Sequence, residues 1–474
     1  MDERQQQELL CWLGSQDMAV FLVGGSVRDR MLGRLSHDLD VVVSGSAIRL
    51  GRNLADRFGG AFYILDAERG AARALLPSAD GEQLTVDLTV LAEDDIVADL
   101  AARDFTINAM AMPLTSNDVG ALIDPHGGWT DLQARRLRAV SSASLRNDPV
   151  RVLRAVRLAH EFGLEIDSST VALACEAVPL LGDVSAERLR DELGRILTLS
   201  HASVPILRLN RWGVLRFLFE TYGVPLMAGR DSPLTIQAEI AGAVLDAWEC
   251  LSEVLPVPAL CGSQHNAALF RRAVACYRGP LADRLAAVVT GERTQSLLVR
   301  WVILLCFAGG KSCVEEMLAR LRFSRVEVRR GRTLANTFSR PGEWAESGET
   351  TPRQLHRFYR EAKGCGPEAL VLYLAERLAV PGRDDGVGCA ELAAQRVESA
   401  LRAYFESYET IVAPPQLVDG TVLMERFDLQ AGPHIGELLE RVREAQAEGE
   451  IRTQAEALAW VQAYLATNHP EAGN

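Results

Sequence analysis

At 474 residues the chain exceeds what one ordinary hydrophobic core supports, and on the order of three domains are expected. A composition of 48% hydrophobic and 24% charged residues excludes a disordered or fibrous protein. A formal net charge of -13 excludes indiscriminate coating of nucleic acid, whose affinity comes from neutralised phosphates, so any RNA contact must use local basic patches. The longest apolar runs, such as residues 297–308, contain Arg300 and fall short of the roughly 20 residues that cross a bilayer, so no membrane partner is expected. Residues 1–7 lack the basic and then apolar pattern of a secretory signal, and a cytoplasmic location is expected. The nine cysteines are scattered without a Cys-x-x-Cys pair, which fits reduced thiols packed as small apolar groups.

The first ~140 residues mix short strand-like runs (19–23, 39–43 and 84–91) with helical stretches. The first run ends in Leu22-Val23-Gly24-Gly25-Ser26-Val27-Arg28-Asp29. Two glycines let backbone amides approach a polyphosphate, the following helix offers free N–H groups, and Arg28 can pair with phosphate oxygens, although such turns are commonly only tight turns. Next, in Ser36-His37-Asp38-Leu39-Asp40-Val41-Val42-Val43, Asp38 and Asp40 stand two apart at the start of a strand. Alternation places both side chains on one face, where they can share hard divalent cations that orient a 3′ hydroxyl and neutralise a triphosphate. Asp87, within Val86-Asp87-Leu88, fits a third acid on a neighbouring strand. From Pro149 onward helical spacing takes over, in 150–161, 186–199 and 295–307, and strand-like alternation nearly disappears. Pro, Gly and polar clusters at 223–233, 341–352 and 381–388 are candidate linkers, and a helical tail runs over about residues 418–465.

Those motifs, with Ala102-Arg103-Asp104-Phe105-Thr106-Ile107-Asn108, Asp124-Pro125-His126-Gly127-Gly128-Trp129-Thr130-Asp131-Leu132 and Asp148-Pro149-Val150-Arg151-Val152-Leu153-Arg154-Ala155-Val156-Arg157, resemble the successive motifs of class II tRNA nucleotidyltransferases. That family includes CCA-, CC- and A-adding enzymes and bacterial poly(A) polymerases. The resemblance implies an α+β fold: a polymerase-β-like nucleotidyltransferase head (1–140), then an all-α neck reading the base (141–222), body (223–380) and tail (381–474), the last gripping tRNA. It implies Mg²⁺ on Asp38 and Asp40, with Asp87 completing the catalytic acids, and the triphosphate at Gly24, Gly25 and Arg28. Arg103, Asp104 and Asn108 would shape the sugar and phosphate environment, and Asp148 and Arg151 would face the incoming base. An Asp acceptor beside an Arg fork can hydrogen-bond a base edge in place of a template strand. Arg154 and Arg157 would contact the triphosphate or the RNA end, their plainer alternative being pairing with acids within the helix. Ser185-Ala186-Glu187-Arg188 resembles the helix that braces the base-reading one. The implied partners are the tRNA 3′ end, CTP and ATP.

Departures bear on the nucleotide added. Asn147 stands where many members carry Glu, and Ala102 where Arg is common. Asp87 and Arg103 are joined by residues 88–102 alone, which leaves little room for the flexible loop that CCA- and A-adding members carry there, so the expectation is CC addition. A-adding, full CCA-adding and poly(A)-synthesising enzymes remain alternatives, as do a silent RNA-binding relative and a small-molecule nucleotidyltransferase. Cys306 and Phe307 stand where relatives with an appended phosphohydrolase carry His-Asp, so no second hydrolase is expected. The arginine-rich segment 320–332 is a candidate for the tRNA backbone, against the alternative of a solvated helix face.

Overall fold

A computed structural model describes residues 3–78, 83–91, 95–116, 119–222, 234–252, 264–344, 350–379 and 387–468. The expected linker at 223–233 lies wholly, and those at 341–352 and 381–388 partly, outside these described residues. The chain forms two compact units, Met1–Arg188 and Leu189–Asn474.

The first unit is built on a six-stranded sheet. In chain order it contains α1 (Glu3–Gly14), β1 (Val20–Val23), α2 (Gly25–Met31), β2 (Asp38–Val43), α3 (Ala47–Phe58), β3 (Ala61–Asp66), β4 (Ala71–Pro77), β5 (Gln83–Val90), α4 (Ile96–Ala101), β6 (Ala111–Pro113), α5 (Gly128–Gln133), α6 (Ser144–Asn147), α7 (Arg151–Glu161) and α8 (Ser168–Ala177). The strand order is β3-β4-β5-β2-β1-β6. The β2–β5 pair is parallel and its neighbours are antiparallel. In β2 the alternation divides labour: Leu39, Val41 and Val43 enter the main core with Leu22, Val86 and Leu88, while Asp38 and Asp40 point to the opposite face. Each fully buried aliphatic side chain of this kind contributes roughly 1.5–3 kcal/mol, which is what fixes the register. Helix α3 covers the core face with Leu50, Gly51 and Leu54, begins where Ser46 accepts the Arg49 amide, and ends at left-handed Gly59.

The second unit is almost wholly helical. The division falls within α9 (Ala186–Leu197), after which come α10 (Ser203–Arg211), α11 (Val214–Thr221), α12 (Leu234–Ser252), α13 (Gln264–Ala275), α14 (Arg278–Ala286), α15 (Gln295–Gly309), α16 (Val314–Arg320), α17 (Arg325–Thr337), α18 (Pro352–Ala362), α19 (Gly366–Ala379), α20 (Val387–Glu406), α21 (Gly420–Phe427), α22 (Pro433–Ala447) and α23 (Gln454–Asn468). Helix α15 is apolar on nearly every side and lies inside the unit, with Trp301 edge-on to Phe323 at 5.4 Å. Buried acids there are matched by arginine forks: Arg293 to Glu327 at 2.7 and 3.0 Å, and Arg357 to Glu444 at 2.5 and 2.8 Å. Cys306 is buried in α15, and that burial pushes its thiol far up, so it stays protonated. The expected α+β head followed by a mostly helical remainder is the architecture observed, but the remainder is not all-α. Short strands at Glu165–Ile166, Val288–Thr290 and Arg293–Thr294 interrupt it, each pairing over too few residues for an alternating pattern to be readable.

Candidate active site

Gly24 closes β1 with φ 68° and ψ -133°, a conformation open to glycine, and α2 starts at the next residue. A Cβ there would stand 2.8 Å from Arg103 Nη1 and 3.2 Å from Asp40 Oδ2. Three separate sequence motifs therefore meet at one turn. The Ser26 hydroxyl ties two of them, accepting the Asp40 amide at 2.7 Å and donating to the Asp38 carbonyl at 3.2 Å. Arg103 is held from the other side by Asp99 of α4, to which its Nε and Nη2 donate at 3.1 and 3.0 Å.

Asp38 and Asp40 share the outward face of β2, and the parallel register sets Asp40 directly beside Asp87 of β5. The Asp40 surface is open to solvent, yet the protein around it is dense. Desolvation pushes its carboxyl above the ordinary range, Arg103 and Arg154 oppose the rise, and Asp87 and Asp38 add to it. Desolvated hard oxygen donors of one sign fit a divalent cation well. Asp87 is not turned wholly toward its neighbours: Arg73 of β4, its cross-strand partner, donates Nε to Oδ1 at 2.7 Å and Nη2 to Oδ2 at 2.8 Å.

Behind the acids lies a second network. Arg28 is buried, donates to Asn108 Oδ1 at 2.7 Å, pairs with Asp29 at 2.8 Å and lies 4.0 Å from the Phe162 ring centroid. Asn108 in turn donates to Asp104 at 3.2 Å, and Arg154 Nε stands 2.5 Å from Asp104 Oδ2. Full burial pushes Asp104 up, but Arg154, the Phe105 amide, Asn108 and Arg151 together outweigh it and hold the carboxyl below its ordinary range. The Asp124 to Leu132 motif supports this network: Asp124 accepts the amides of Gly128 and Trp129, and Asp131 accepts the Thr106 hydroxyl at 2.7 Å.

Asp148 and Arg151 stand together, 3.7 Å apart, with side chains 25% and 19% exposed, so the pair is partly open. Arg188 donates to the same Asp148 oxygen at 2.8 Å. Arg151 Nη1 donates to the carbonyls of Arg103 and Ser144, and Nη2 to that of Ala102. The candidate base-facing arginine is thus anchored to the backbone that carries Arg103. Arg157 pairs with Glu161 one turn on, at 3.0 Å. Within the second unit Arg320 and Arg332 are paired with Glu316 and Glu315, while Arg322, Arg325 and Arg329 are exposed with no carboxylate within 4.0 Å among the described residues.

Ser26, Arg73 and Asp99 were not legible as contributors. Their partners are 14, 14 and 4 residues away, and only the last spacing is a helical one. Among the described residues, the three-residue set whose ligand atoms all lie within 4.8 Å of one another is His201, Asp246 and Glu249, rather than the β2 and β5 acids. Its carboxylates are already engaged: Asp246 takes the Ser203 amide and hydroxyl and Glu249 the His201 amide. They cap α10, whose own N-cap, Ala202, offers no side-chain oxygen.

A model described as "Poly A polymerase head domain" matches residues 20–138, "Probable RNA and SrmB- binding site of polymerase A" matches 163–223, and a tRNA nucleotidyltransferase domain 2 model matches 293–461. A CC-adding tRNA nucleotidyltransferase of Geobacter sulfurreducens is 34% identical over 94% of this chain and 91% of its own. The chain belongs to the tRNA nucleotidyltransferase family. An A-adding tRNA nucleotidyltransferase of Deinococcus radiodurans is 30% identical over 93% of this chain and 94% of its own. Among solved structures, an apo CCA-adding enzyme superposes with a TM-score of 0.66 at 24% identity, covering 99% and 96% of the two chains. The Thermotoga maritima CCA-adding enzyme complexed with tRNA superposes with a TM-score of 0.59 at 24% identity, over 98% and 96%. These two likenesses support the fold of the tRNA nucleotidyltransferase family over the whole chain.

Proposed function

We propose that this tRNA nucleotidyltransferase adds two cytidines from CTP to the 3′ end of tRNA with Mg²⁺, in the cytoplasm, and stops there. The observation that carries the reading is the short link between the third acid and Arg103: β5 ends at Val90 and α4 begins at Ile96, so most of the span is strand and helix. Residues 92–94 lie outside the described ones. Arg151 is tied to carbonyls at the end of that link, which favours a base pocket that keeps one shape. The full-length likeness to a CC-adding enzyme supports the same branch.

In this reading Asp38 and Asp40 hold the metal and Asp87 lies beside them. Mg²⁺ there supplies charge neutralisation of the triphosphate and activation of the 3′ hydroxyl. Gly24 and Gly25 present backbone to the phosphates, with Arg28 and Arg154 behind. Arg103, beside Asp40, offsets charge on the α-phosphate as the 3′ oxygen bonds to phosphorus and pyrophosphate departs. Asp104 and Asn108 keep Arg28 and Arg154 in place, Asp148 and Arg151 read the cytosine edge, and Arg157 stiffens α7, which begins at Arg151. The division into head (1–140), neck (141–222), body (223–380) and tail (381–474) belongs to the same reading.

The test is incubation with tRNA transcripts lacking the whole CCA end, lacking the final A, or complete, with each NTP singly, followed by sequencing. The expected result is two cytidines added to the first and no A on the second. Efficient addition of A moves the chain to the A- or CCA-adding branch. Asp38→Ala and Asp40→Ala are expected to abolish incorporation with melting temperature preserved, since neither side chain is in the core.

A further inference from the structure

Arg73 has no place in the motifs that define the site, yet it holds the third acid. On β4 it stands opposite Asp87, and its guanidinium makes two parallel bonds, 2.7 and 2.8 Å, one to each carboxylate oxygen. On the other edge of β5, Asp87 is registered beside Asp40. One carboxylate thus sits between an arginine fork and the acids of β2. A bidentate fork fixes the carboxylate plane and takes one lone pair from each oxygen, leaving the others for a further partner. The two bonds run to both oxygens of Asp87, so the fork restrains the carboxylate on the edge of β5 away from Asp40.

We propose that Arg73 is a positioning residue for nucleotidyl transfer: it restrains Asp87 from collapsing onto the cation at Asp38 and Asp40, keeping the open coordination positions that substrate oxygens must fill. The inference rests on the assignment of Asp38 and Asp40 as metal ligands. Without Arg73 the carboxylate is free to swing toward β2 and one positive charge is lost from beside it. The free protein then binds a divalent cation more tightly but in a geometry less open to triphosphate and 3′ hydroxyl. A purely structural ion pair, with side chains 42% and 31% exposed, has no such effect on metal affinity.

The experiment measures Mn²⁺ binding by electron paramagnetic resonance on the full-length protein without nucleotide, alongside kcat and KM for CTP. Arg73→Ala is expected to tighten Mn²⁺ binding at least threefold and lower kcat at least tenfold, with KM changed less than kcat. Arg73→Lys, which keeps the charge but not the fork, should still tighten Mn²⁺ binding and lower kcat, by less than alanine does, and serves if the alanine variant does not fold; wild-type values in Arg73→Lys would overturn positioning by the fork. In an Asp87→Asn background, Arg73→Ala should no longer tighten Mn²⁺ binding, because the effect runs through that carboxylate. Unchanged or weaker Mn²⁺ binding in Arg73→Ala, or an equal gain in the Asp87→Asn background, overturns the proposal. Wild-type Mn²⁺ affinity in both Asp38→Ala and Asp40→Ala would remove the site assignment itself, a separate failure.

Discussion

Gly24 is fixed by both its backbone and its surroundings. Its positive φ disfavours any side chain, and a methyl group would displace Arg103 from Asp40. Gly24→Ala is therefore expected to lose about 1–2 kcal/mol of stability from backbone strain and at least a hundredfold in kcat, which melting curves and single-turnover rates would separate. Near-normal kcat would mean that Arg103 takes no part in the chemistry. Asp104 offers a test in pH. Against the opposing effect of burial, its folded pKa is held below the ordinary carboxylate range, chiefly by Arg154, so the stability it contributes is present above that range and is lost as pH falls through the folded pKa. Asp104→Asn should cost roughly 3 kcal/mol at neutral pH, the low end for breaking a buried pair because the Arg154 side chain is 40% exposed. The gap from wild type should narrow below about pH 4 in acid-denaturation curves; a gap constant to pH 2 would show that the ionised carboxylate is not what matters.

At the scale of elements, the short helix α4 links the two halves of the site. Asp95 caps it by accepting the Val97 amide, Asp99 clamps Arg103, and the chain then supplies the carbonyls that hold Arg151. Asp99→Ala should thus lower kcat/KM for CTP at least tenfold with little loss of fold, since its side chain contributes no core area; an unchanged value would show Arg103 stays in place without it. Three of the six strands were readable because β1, β2 and β5 combine β-branched runs with a functional motif. The others were not. β4 reads Ala-Ala-Arg-Ala-Leu-Leu-Pro, a helix-former's composition made into a strand by pairing on both sides, and edge strand β3 exposes Tyr63, Ile64 and Leu65, hiding its alternation. Arg73 lies on β4, and its role exists only across a strand pair. The acids, by contrast, were legible because a spacing of two on a strand fixes the shared face without any tertiary knowledge.

For the whole molecule the issue is how a chain of net charge -13 engages a polyanion. Much of the arginine is spent on neighbouring acids, and Arg322, Arg325 and Arg329 on and before α17 form a small unneutralised group. Replacing all three by Gln should raise KM for tRNA several-fold and flatten its salt dependence by up to three phosphate contacts, leaving KM for CTP unchanged. An unaltered salt slope would assign these side chains to solvent. The parallel pairing of β2 with β5 also has a bearing on how the protein is made. β3, β4 and β5 follow one another as a local meander, whereas Asp40 meets Asp87 only when β2 is joined across that insertion. Long-range closure of this kind is entropically slow and waits on the nearer contacts. Pulse-labelled hydrogen exchange during refolding should show amides of the β3–β4 pair protected ahead of those bonded between β2 and β5, so the acids are brought together by one of the late events of folding.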